Sequence, residues 1–363
     1  MSATSSNSAA TAAAAGKLAR EFTFIKPAAR RLTEYEALTV HQQPDAWGFD
    51  KVGANIDDTE WYVLRPDGKS LWDQASTKLK HDDWYAFRDP AQQWQRTYVR
   101  HQEQQETSIA RMTEDAALDG TLAALSAGWV KDLLCAHYRA WSFFEYAIFR
   151  CLAPAQREAL SDTLGNLLCF QSFDHLRHAQ DVVVYLVELE SVNGAVDDAL
   201  GKQQWMSAPA YQPSRKLAEE IMATTDWAEL LVGLNLVVGP LLQQMAVSDL
   251  VRRGAMHNDD AVAPHIVMTA ERDRRRNLAA AQAFVRLVTA EDSAHAAHNR
   301  AVLQTWLDDW SARADAAAQA LAPVYGQAPQ PALSFAASHG AARAACAGII
   351  RELGFSTRLD GEA

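Results

Sequence analysis

The segment Asp174-His175-Leu176-Arg177-His178 sits inside an apolar stretch that Pro154 opens and Asn193-Gly194 closes. Pro at the start and Gly past the end predict one long helix over 154–192. His175 and His178 are three residues apart and share a face of that helix, whereas Asp174 points about 100° away. Two imidazoles at this spacing can ligate one metal ion. The plainer alternative is a pair of hydrogen-bonded core histidines. Asp174 is expected to pair with Arg177 or Arg276 rather than with a metal.

The segment has the outline of a carboxylate metal helix with its glutamate replaced. In di-iron proteins of the ferritin-like fold, two helices each supply Glu-x-x-His and two others each supply a Glu. Here His175 stands where that Glu belongs. Glu145, roughly thirty residues before His178, has a spacing suited to the first lone glutamate; a solvent-facing Glu, or one paired with Arg139 or Arg150, is the plainer alternative. In the second half, Ala270-Glu271-Arg272-Asp273-Arg274 offers Glu271 but places Arg274 at the histidine position. A guanidinium stays protonated and has no lone pair for iron. Leu234-Asn235-Leu236-Val237-Val238 supplies an amide where the other carboxylate is needed. The metal set that remains is Glu145, His175, His178 and Glu271. The competing expectation is a buried salt-bridge network of Asp174, Arg177, Glu271 and Arg274 in place of metal.

Helical patterning extends outward from this centre. Helices are expected over 91–127, 129–152, 154–192 and 227–253, then from 258 to 289 and from 291 to 320, with Thr225 or Asp226 capping the fourth and Pro240 kinking it. Residues 205–213 read as a connector. Pro323, Pro329 and Pro331 mark a linker inside a C-terminal tail over 321–363 that ends in an amphipathic segment. The expected organisation is a disordered Ala/Ser-rich tail over 1–20, an extended arm over 21–90, and an all-α body over 91–320. The arm carries Phe22, Phe24, Tyr35, Trp47, Phe49, Trp61, Tyr62, Trp72, Trp84, Tyr85 and Phe87 without helical periodicity, so its rings need another surface to cover them.

Composition narrows the function classes. The 363 residues carry 45 Asp plus Glu against 34 Lys plus Arg, a net charge of -11, which repels nucleic acid and anionic lipid. No run approaches the roughly 18 consecutive apolar residues of a membrane span. Cys135, Cys151, Cys169 and Cys346 have no Cys-x-x-Cys spacing, and a reducing, cytoplasmic setting without disulfides is expected.

Two longer strings carry a family resemblance. Leu79-Lys80-His81-Asp82-Asp83-Trp84-Tyr85-Ala86-Phe87-Arg88-Asp89-Pro90, followed by Trp94, Arg96, Thr97 and Tyr98, resembles the beta (small) subunit of soluble bacterial multicomponent di-iron monooxygenase hydroxylases. Thr225-Asp226-Trp227-Ala228-Glu229-Leu230, continuing to Pro240, resembles a second signature of that subunit. The opening Phe22-Thr23-Phe24-Ile25-Lys26-Pro27 is most similar to the propane monooxygenase branch, and nothing after about residue 325 matches. The resemblance implies an all-α, ferritin-like (ribonucleotide-reductase-like) bundle with a long irregular N-terminal arm. It also implies a chain without cofactor or catalytic residues, paired as alpha2beta2 with an alpha subunit that holds the di-iron centre, with gamma in some branches. A coupling protein and a reductase carrying NADH-derived electrons through FAD and an Fe-S centre would complete the system. Within that expectation Trp84, Phe87, Trp94 and Tyr98 are the candidate interface rings.

Overall fold

The computed structural model describes residues 33–40 and 73–360, and among them no strand occurs. Four helices form a closed square at the centre. The first is α2, π-helical over Trp129–Tyr138 and α-helical over Arg139–Ala155, preceded by α1 (Gln95–Leu118). Next come α3 (Asp162–Val192), α4 (Asp198–Ser207) and α5 (Gln212–Ala223). Then α6 is α-helical over Trp227–Gly233 and π-helical over Leu234–Arg253, followed by α7 (Ala263–Val288). Finally α8 (Ala296–Gln319), α9 (Ala322–Gln327) and α10 (Phe335–Glu352) complete the body. In the square α2 packs on α3, α3 on α7, α7 on α6 and α6 on α2, while α8 and α10 cover α6 and α4 and α5 cover α2.

The helix boundaries follow from caps and turns. Asp226 caps α6 by accepting from Ala228 N and Glu229 N, and its second oxygen accepts from Lys78 N at 2.7 Å, which ties the N-terminal segment to the body. Ser161 caps α3, so that helix begins at Asp162 and Pro154 belongs to the end of α2. The expected start at Asp89-Pro90 is displaced to Gln95. The Asp89 carboxylate accepts from Ala91 N and Gln93 N and holds a turn there. At the other end α1 stops at Asp119-Gly120, because Gly120 takes the left-handed conformation at φ +83°. Residues 205–213, expected as a connector, are mostly helical.

Helix α6 is the core of the molecule. By length and composition it is long and apolar enough to cross a membrane, yet 83% of its most apolar window is buried, so it is sheathed by its neighbours instead. Gly233 permits this: a Cβ there would sit 2.5 Å from the Trp310 ring of α8. In the π-helical part of α2 each turn holds an extra residue, with Arg139 N–H bonding Leu134 five residues back.

That π-helical turn also buries His137. Its Nε2 lies 2.7 Å from the Ala246 carbonyl and therefore carries the proton, which leaves Nδ1 to accept from the Tyr211 hydroxyl at 2.9 Å. Burial pushes this imidazolium down to about 4. Between that value and the unfolded value near 6.5, the unfolded chain binds a proton that the native chain refuses, so stability falls as pH drops through this window. Chemical denaturation at pH 7 and pH 4 should differ by about 2–3 kcal/mol from this residue alone. A His137→Gln chain, compared over the same two pH values, should lose that share of the slope; an unchanged slope would refute the assignment.

Candidate functional site

The square brings polar side chains inward from all four walls. From α2 comes Glu145, buried, accepting from Trp141 Nε1 at 3.0 Å, Gln243 Nε2 at 2.9 Å and His175 Nδ1 at 2.5 Å. His178 places Nδ1 3.3 Å from Glu145 Oε1 and Nε2 3.1 Å from the Tyr138 hydroxyl. Burial acts to raise the Glu145 carboxyl, but the two imidazoles more than offset it and hold it well below the usual carboxylate range. Burial also pushes the His178 imidazolium down, further than Glu145 lifts it. Arg274 of α7 completes this cluster: burial lowers its guanidinium, Glu145 and Glu271 oppose that, and one amino group donates to Ser248 Oγ at 3.2 Å.

A second cluster lies beside the first. Asp174 accepts from the Tyr98 hydroxyl at 2.9 Å, Asn277 Nδ2 at 3.0 Å and Arg276. Asp273 accepts from Arg177 at 2.5 Å and Arg276 at 3.2 Å, and Gln102 Nε2 bridges Asp174 and Asp273 at 3.3 Å to each. Arg177 also donates to Asp181 at 2.8 Å and Thr269 at 3.1 Å. Burial is the main force raising Asp273, followed by the nearby Asp174 charge; it also raises Asp181 to about 7 against the pull of Arg177. Three carboxyl groups and two guanidiniums thus share one buried space.

Glu145, His175 and His178 meet as their spacing predicts. Glu271 does not join them or the ion network: it turns outward to Arg252 at 2.7 Å, and Asp273 takes the place beside Arg177. The correction follows from register: at 100° per residue Glu271 stands about 160° from Asp273, which shares the buried side of α7 with Ala270 and Asn277. The interface expectation also changes. Trp84 is buried against Trp227 and Phe284, its Nε1 donating to Gln74 at 2.9 Å; Phe87 packs on Phe284; Tyr98 stacks on Phe170 at 4.3 Å. These three rings are therefore covered by their own body, and only Trp94 is half-exposed. Tyr35 is likewise buried, its hydroxyl accepting from Asp89 N at 3.0 Å. The tail over 1–20 and the arm aromatics Phe22, Phe24, Trp47, Phe49, Trp61, Tyr62 and Trp72 lie outside the described residues. Sequence reasoning missed Gln102, Gln243, Trp141 and Asn277, whose amides and indole match no metal pattern.

This donor set does not suit a pair of metal ions. Two metals about 3.5–4 Å apart need several carboxylates converging between them. Here the one carboxylate and two imidazoles bond each other, Asn235 donates to Gln171 at 3.1 Å, and Arg274 lines what space is left. That space is about 10 Å³, at the lower limit for one water. Among the described residues, no three His, Cys, Asp or Glu side chains are arranged to hold a metal ion. The cluster can fix charges and hold four helices in register.

Comparison with known proteins agrees with this architecture. Residues 61–292 match the methane/phenol/alkene hydroxylase family model. The chain is 31% identical to the propane 2-monooxygenase hydroxylase component small subunit of Rhodococcus jostii, over 92% of this chain and 89% of that one. It is 27% identical to the methane monooxygenase component A beta chain of Methylococcus capsulatus, over 79% and 74% of the two chains. A phenol hydroxylase structure from Pseudomonas sp. OX1 superposes with a TM-score of 0.74 at 20% identity, covering 91% of this chain and 92% of that one. A toluene-bound toluene 4-monooxygenase structure gives 0.69 at 25% identity, covering 81% and 94%. The ferritin-like helical fold is common to these hydroxylase subunits. With the fold, the matched residues and the identity over nearly the whole length in agreement, this chain belongs to the methane/phenol/alkene hydroxylase family.

Proposed function

We propose that this chain is the metal-free beta subunit of a hydroxylase component. It scaffolds a large alpha subunit whose di-iron centre hydroxylates or epoxidises a small hydrocarbon with O2. The observation that carries this reading is Arg274, a guanidinium lining a void of about 10 Å³ together with Glu145, His175 and His178. A fixed positive charge there opposes a metal cation and rewards the Glu145 carboxylate. The relatives' names as small subunit and beta chain support a large partner, and propane, methane and toluene in those names support a small hydrocarbon substrate. On this reading the assembly is cytoplasmic, alpha2beta2, and served by a coupling protein and a reductase that draws electrons from NADH through FAD and an Fe-S centre.

Elemental analysis of the chain expressed alone with iron supplied tests the proposal. Near-zero iron is expected. About one iron or more per chain, lost in His175→Ala, would overturn the scaffold reading in favour of an autonomous metalloprotein using Glu145, His175 and His178.

A further inference from the structure

The middle turns of helix α3 bury charged side chains and leave apolar ones exposed. Its buried face carries Asp174, His175, Arg177 and His178, whereas Phe173, Leu176, Gln180, Val184 and Val187 fall within about 80° of one another on the outward face at 100° per residue. Phe173, Val184 and Val187 are 46%, 60% and 58% exposed. The stripe continues across neighbouring helices, with Tyr146 of α2 46% exposed and Leu118 of α1 81% exposed. Of the eleven large apolar side chains exposed among the described residues, seven lie on α1, α2 and α3, and the other four are methionines on other helices or loops. Leu118, Tyr146 and Val184 also line one open cleft of 1030 Å³ between those three helices. Single exposed apolar residues need no explanation; a contiguous set with a charged rim marks a contact surface.

The rim says what covers it. Arg139 and Arg177 are each engaged by a carboxylate, Asp198 and Asp181 respectively, at 2.8 Å. Glu106, Glu114 and Glu188 line the same cleft, and no ion pair engages them among the described residues. An apolar trough edged by free carboxylates fits a helix with apolar centre and Lys or Arg flanks. A second copy would set acid against acid on a chain whose net charge is already -11. We propose that the α1/α2/α3 face is the docking surface for the large subunit of the hydroxylase component, which meets it with an apolar helix flanked by basic side chains. This inference rests on the subunit assignment proposed above and assigns contact to Phe173, Val184 and Val187 in place of the buried Trp84, Phe87 and Tyr98.

The test is co-expression with the tagged large subunit of the same hydroxylase component. Parent, Val184→Asp/Val187→Asp and Met256→Asp chains would be compared for capture and affinity. Both substituted sites are exposed, so the isolated chains should keep their far-ultraviolet spectra and melting midpoints. The double variant should bind the large subunit about 100-fold or more weakly than the parent, with Met256→Asp unaffected. Covalent footprinting of Tyr146 and Phe173 should fall on complex formation. Equal capture of parent and double variant, with unchanged footprints, would overturn the surface and leave the subunit assignment standing. Failure of the parent to bind removes both. Self-association of the parent in sedimentation, abolished by the double substitution, overturns it in favour of a copy-to-copy contact.

Discussion

Replacing Asp273 by Ala should destabilise the chain by about 3–5 kcal/mol, because it strips a buried ion network of the carboxylate that two guanidiniums share. Arg177 and Arg276 both bond Asp273, and burial there is nearly complete. Arg177 would keep Asp181, and Arg276 would keep Asp174. Two positive charges would nevertheless face two carboxyls, one of which burial already raises to about 7. The remaining network is short of negative charge in a place water hardly enters. Asp273→Asn, which keeps the shape and part of the hydrogen bonding, should cost about half as much. Glu271→Ala is the informative contrast. Its partner Arg252 is half-buried and can turn to solvent, so the loss should stay below about 1 kcal/mol. Chemical denaturation of the three variants followed by tryptophan fluorescence would rank them. Glu271→Ala costing more than Asp273→Ala would reinstate the network read from sequence.

That contrast shows what sequence can and cannot carry. The bundle was legible because α3 and α6 are long periodic segments with strong punctuation: Asn193-Gly194 closes one and Asp226 caps the other. The Glu145, His175 and His178 cluster was legible for the same reason, since i, i+3 spacing and a helix-length separation dictate a shared face. What failed was register within a charge-dense turn. Glu271 and Asp273 are both charged and stand about 160° apart on the helix, so an error of two residues in phase decides which of them meets Arg177. Ala270 and Asn277, the quiet residues at the same phase as Asp273, were the available signal. The aromatic residues failed for a different reason. A ring such as Trp84 needs a cover, and sequence does not say whether the cover is Trp227 of the same chain or a partner. Conversely, Val184 and Val187 are apolar and yet exposed in the fold.

Glu145→Ala should be about as damaging, at about 4 kcal/mol, although nothing about it resembles a loss of packing alone. The carboxylate is the common acceptor for the Trp141 indole, the Gln243 amide and the His175 imidazole, and its charge is the main one opposing the effect of burial on Arg274. Truncation leaves those three donors without their acceptor and a guanidinium without its counter-charge, in a site whose free space is about 10 Å³. Arg274→Met should cost less than Glu145→Ala, since a side chain of similar length replaces a buried charge whose desolvation was unfavourable. The pair of variants separates a structural carboxylate from a metal ligand. If Glu145 served a metal, the metal-free chain would tolerate its removal and the penalty would emerge only when metal is added. Denaturation in the presence of a chelator decides the matter: a Glu145→Ala chain as stable as its parent under those conditions would sink the reading in which charge and hydrogen bonding have replaced iron at the centre of this bundle.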